Sequence, residues 1–163
     1  MANKASFTPD EWKLLSQTPT MAGLVVVAAS PSGPLGVIEE SIAMGRILVD
    51  TKTQGSSSEL INALVGHLAT PEGRQAMRPP ELVGKSPDQI KSYALDTCRK
   101  AAALLDQKAP AESPAFKRWL QTIGQKVAEA AKEGGFLGIG GTQVSEQEKT
   151  ALTDLGKSLG IAA

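Results

Sequence analysis

His67 and Cys98 are the chain's single histidine and single cysteine, so any chemistry built on imidazole or thiolate must pass through them. A thiolate activated by an imidazole is a nucleophile. His67, however, lies in LVGHLA and Cys98 in an amphipathic pattern around LDTCRKAA, where a structural imidazole and a small buried thiol are the expected roles. The glutamate–histidine spacing of a di-iron bundle is missing, as are the HExxH and CxxC patterns of zinc sites. The remaining candidates are carboxylates. Glu133, Glu146 and Glu148 flank a glycine-rich stretch and could form a weak divalent-metal site with Gln143 and backbone carbonyls. Three carboxylates fall short of the roughly six to eight oxygens calcium takes, and Glu148 also fits a helix cap.

That stretch, EGGFLGIGG at 133–141, places Phe136, Leu137 and Ile139 among glycines that include Gly135 and Gly138. It has no Lys-Ser/Thr ending and no preceding strand, so it is not a phosphate cradle. Each large apolar side chain would gain about 1.5–3 kcal/mol on leaving water, whether for the protein's own core, a partner or a lipid surface. Packing on the chain's own helices avoids the loss of translational freedom that a partner or a membrane imposes. Leu137 is therefore expected to pack internally, and Phe136 to reach a protein partner or a second copy of the chain. Contact with a membrane surface through GGFLGIGG is the rival reading.

The elements that must position this loop are announced by their starts. Thr8 with Glu11, Ser56 with Glu59, Ser86 with Gln89 and Ser145 with Glu148 have capping-box spacing. Thr18-Pro19, Thr70-Pro71 and Ser113-Pro114 place proline where a first helical turn tolerates it. These marks predict helices at about 9–17, 19–29, 36–52, 57–69, 71–77, 87–108, 114–133 and 145–159. Phe116, Leu120, Ile123 and Val127 follow helical periodicity, as do Ile90, Ala94, Thr97, Ala101 and Leu104. No window sustains a period of two, and the fold is predicted to be all-α: a bundle of about seven or eight helices forming one domain over 1–163.

Laid over one another, residues 21–37 and 123–139 agree at six of seventeen positions without a gap, including a shared G-x-L-G frame at Gly33–Gly36 and Gly135–Gly138. This predicts two related helix-loop-helix units, at about 19–48 and 114–159. The alanine-rich helix ending AAKEGG, the loop, and then VSEQEKTALTDLGKSLG resemble the TerB-like, or tellurite-resistance, domain family over residues 123–160. The resemblance implies a duplicated, compact helical bundle with a stress-linked accessory role. It also implies metal-ligating carboxylates near the loop, with Glu133-Gly134 matching the family's Asp-Gly and Glu146 and Glu148 its acidic helix start. The N-terminal copy departs from that pattern, because Ser30-Pro31-Ser32-Gly33 carries no acid.

Composition narrows the partners. Lysine plus arginine balance aspartate plus glutamate at 17 each, which gives no general attraction to nucleic acid. A single cysteine permits no internal disulfide, and MANKASFTPDEW lacks the basic start and apolar run of a secretory signal. The expectation is a cytoplasmic, non-enzymatic helical protein without a cofactor, acting through protein contacts or self-association at the 133–141 loop.

Overall fold

The computed structural model describes residues 2–30, 45–78, 82, 84–133 and 144–161, and every regular element among them is helical. After a 3-10 turn, Lys4–Ser6, come α1 (Pro9–Val27), α2 (described over 45–54), α3 (Glu59–Leu68), α4 (Pro71–Ala76), α5 (Pro87–Lys108), α6 (Ser113–Glu133) and α7 (Glu146–Leu159). The fold is all-α, as the caps and periodicities predict. Among the described residues no helix is long and apolar enough to cross a membrane.

Three capping boxes form as expected, with Thr8 capping α1, Ser86 α5 and Ser145 α7. A fourth start moves: Ser58, not Ser56, caps α3 by accepting from the Ile61 N–H at 3.2 Å. The Ser56 hydroxyl instead accepts from the Ser58 N–H, and the Ser56 N–H donates to the Asn62 side chain, so Ser56 shapes the approach to the helix.

A larger departure lies in α1, which runs unbroken through Pro19 where two helices were predicted. Proline brings no N–H to the carbonyl four residues back, here Leu15. The Thr18 hydroxyl donates to that Leu15 carbonyl at 2.7 Å and supplies the missing hydrogen bond. Thr18 and Pro19 are both buried, so the repair is made where water could not make it.

α1 is the central helix and packs on α5, α6, α7, α3 and α4. It is buried nearly all round, with Leu15, Met21, Ala22, Val25 and Val26 in a core shared with Leu60, Leu64, Cys98, Leu105, Phe116, Leu120 and Leu155. Its last two turns, residues 21–27, are apolar on every face and are stable only in such a position.

The directions of the long helices follow from a few polar ties. Lys108, the last residue of α5, bonds Glu11 in the first turn of α1 at 2.7 Å, so these two helices run antiparallel. The short turn at 109–112 then returns the chain as α6, parallel to α1. The two parallel helices meet equally far along, where a Cβ on Gly124 would lie 3.6 Å from the Ala22 carbonyl oxygen and 2.8 Å from a Leu155 methyl. α7 ends at Gly160, whose left-handed conformation (φ 70°) lets the Ile161 N–H close back on the Gly156 carbonyl. Gly160 lies beside Lys117, so α7 runs back along α6. The Trp119 indole N–H donates to Thr51 at 3.3 Å and places the end of α2 beside the start of α6.

Candidate functional site

Because α1 and α6 are parallel, the chain leaves both of them at the same end of the bundle, towards residues 31–44 and 134–143. Those segments, which hold Gly33–Gly36 and the proposed contact residues Gly135, Phe136, Leu137, Gly138 and Ile139, lie outside the described residues. Val27 and Ala29 close α1, Leu48 sits early in the described part of α2, and Val144 precedes α7; all four are partly buried apolar residues against the core. Val49, on α2, is the large apolar side chain most exposed to water among the described residues, at 61%.

The two segments aligned in sequence also share a burial register. Met21 and Ile123, Ala22 and Gly124, Val25 and Val127, and Val26 and Ala128 are buried in both. The contact between α1 and α6 falls on one of these pairs, Ala22 and Gly124.

The candidate carboxylates differ in what they are free to do. Glu148 is 5% exposed, and its carboxylate accepts from the Ser145 N–H at 2.8 Å and the Ser145 hydroxyl at 3.0 Å. Its oxygen thus serves the cap of α7. Glu146 is exposed and pairs with Lys149 at 2.8 Å. Glu133 ends α6, and its side chain lies outside the described residues. Among the described residues no three of His, Cys, Asp and Glu are grouped to hold a metal ion.

His67 and Cys98 have separate surroundings. His67 packs on Trp12 at a tilt of 59°, with ring centroids 5.8 Å apart, and Trp12 in turn meets Phe7 at 6.1 Å. Partial burial holds the imidazole below its ordinary pKa, the Lys4 ammonium adds to this, and Glu72 opposes it. Cys98 is wholly buried on α5, which pushes its thiol up to about 12. A thiol so protonated is a packing group rather than a nucleophile.

The opposite end of the bundle, where α1 and α6 begin, carries a dense set of polar ties. Asp106 accepts from Lys117 at 2.8 Å and from Ser113 at 2.6 Å, and both partners hold its carboxyl below the usual range, Lys117 more strongly. Glu11 is lowered likewise, first by Lys108 and then by the Thr8 N–H. Glu112, buried at 9% exposure, accepts from the hydroxyl of Ser58. The Glu11–Lys108 and Ser58–Glu112 pairings have no sequence signature, since their partners are far apart in the chain. No protein-family model matches the chain, and no curated protein or solved structure matches it.

Proposed function

We propose that this chain is a non-enzymatic helical protein of TerB-like type, with a stress-linked accessory role, that works through protein contacts at the end of the bundle where α1 and α6 finish. One observation carries the reading: two parallel helices, in contact at the aligned pair Ala22 and Gly124, finish at the same end, and each is followed in the sequence by a glycine–leucine frame. An internal duplication accounts for this economically, because a pseudo-two-fold arrangement brings equivalent positions together where related helices meet. The Phe136 side chain, which replaces Pro34 of the first copy, is the aromatic anchor of the contact surface.

A second copy of the chain is the partner to test first, because Phe136 supplies a large apolar side chain, Val27, Leu48 and Val144 are only partly buried, and a chain without net charge does not repel a like molecule. Size exclusion with light scattering, run with and without calcium and magnesium, distinguishes the readings. A concentration-dependent mass indifferent to metal supports contact through the apolar loop. A mass that changes only with metal transfers the role to Glu133 and Glu146, and a monomer at all concentrations removes self-association.

A further inference from the structure

The described part of α2 turns one face to the core and one to water. Ile47 is buried, Leu48 and Thr51 are partly buried, and Thr51 is held by the Trp119 indole. Arg46, Val49, Asp50 and Thr53 recur at the three- and four-residue steps of a single helix face. All four are exposed, Val49 more than any other large apolar side chain among the described residues. We infer that this face packs against the same face of a second copy of the chain, with the two α2 helices antiparallel and Arg46 of each paired with Asp50 of the other. The inference rests on the self-association proposed above and adds its orientation.

Charge complementarity selects the occupant. At the pitch of an α-helix, Arg46 and Asp50 fall on one flank of Val49 and Lys52 on the other. A two-fold axis level with Leu48 sets position 46 of one helix opposite position 50 of its partner, and the pairing occurs twice because the contact is isologous. The four charges then alternate in sign, and Val49 meets its own copy beside the axis. Lys52 lies about 12 Å along the helix direction from its own copy, farther than the Debye length of about 8 Å at physiological salt. In a parallel pair the Arg46–Asp50 flank would face the Lys52 flank instead, which sets Lys52 rather than an acid on the side of Arg46. A partner of one dominant charge would repel either Arg46 or Asp50, whereas a face carrying both signs at reciprocal positions complements itself. One valine is little apolar surface beside the roughly 1,200 Å² or more that a stable interface buries, so the α2 pair sets register and direction, and the apolar contact through Phe136 supplies affinity.

The test is a charge exchange in the full chain, read by sedimentation equilibrium. Arg46→Glu and Asp50→Arg each set like charges together at both sites, and each should weaken self-association about tenfold or more. Mixed in equal amounts, the two variants regain opposite charges at both sites and should associate with each other about as tightly as the unsubstituted chain does with itself. Val49→Lys sets two cations beside the axis; it should also weaken association, and it carries the test if either reversal folds poorly. An unsubstituted chain that is monomeric at all concentrations removes self-association and this inference together. A chain that associates, but whose association is indifferent to these substitutions or is not restored by mixing the two reversals, overturns the antiparallel α2 pairing and leaves self-association standing.

Discussion

The two ends of this bundle are held by different means. Where α1 and α6 begin, Glu11–Lys108, Asp106–Lys117 and Ser58–Glu112 tie α1, α3, α5 and α6 together, and the rings of Phe7, Trp12 and His67 pack on one another in tilted contacts. Where α1 and α6 finish, the described framework is apolar: Val27, Ala29, Leu48 and Val144 over the core, with the carboxylate of Glu148 occupied in its cap. The polar ties fix the geometry of one end, whereas apolar packing holds the described residues of the other. The first end is a scaffold, and the second is where the proposed contact is made.

The largest expected effect strikes the scaffold. Phe116, 1% exposed and edge-on to Trp119 at 5.5 Å, anchors the start of α6, and Phe116→Ala should cost about 3–5 kcal/mol in a urea unfolding experiment. A loss under about 1 kcal/mol would mean that the ties, rather than packing, hold this end.

Next comes the repair within α1. Thr18→Val removes the donor to the Leu15 carbonyl and should cost about 1–3 kcal/mol. In a Pro19→Ala background the backbone N–H restored at that position can take over the Leu15 carbonyl, so the same Thr18→Val substitution should cost much less. Additive losses across this double-mutant cycle would refute the compensation.

Much of this architecture is legible in the chain and some is not, for local reasons. Thr8, Ser86 and Ser145 mark their helices because a capping box is complete within four residues. Thr18-Pro19 has the same appearance as a helix start, and what separates it from one is burial: the apolar surroundings of α1 favour continuing the helix, and a hydroxyl is at hand to repair it. Ser58 takes the cap from Ser56 because Glu112, far along the chain, meets it there. The Glu11–Lys108 tie is invisible for the same reason, whereas the glycine–leucine frames are plain in sequence because the G-x-L-G pattern occurs twice, at Gly33–Gly36 and Gly135–Gly138.

Acid should loosen the scaffold end in two stages. His67 has a lowered folded pKa, so below about pH 6.5 the unfolded chain takes up its proton first, and stability falls as pH drops from there. Glu11 and Asp106 are lowered as well; being carboxylates, they contribute stability above their ordinary range and lose it as pH falls through their folded values. His67→Gln should abolish the first stage and leave the second, as followed by thermal melts from about pH 7.5 to about pH 3, a range that spans both stages.

The smallest effect on stability is expected at the proposed contact. Phe136→Ala should leave the melting temperature nearly unchanged while weakening self-association about tenfold, whereas Leu137→Ala, at the residue expected to pack internally, should destabilise by about 2–5 kcal/mol. The reverse pattern would exchange the two roles.

The most direct test of the division between the ends is a dilution series of the full chain followed by amide chemical shifts. Concentration-dependent shifts are predicted at residues 27–30, 45–49 and 144–148 and in the glycine-rich segments, with residues 4–12, 58–67 and 106–117 unmoved. Shifts centred on Glu11, Ser58, His67 and Asp106 would place the contact at the tied end and contradict the account.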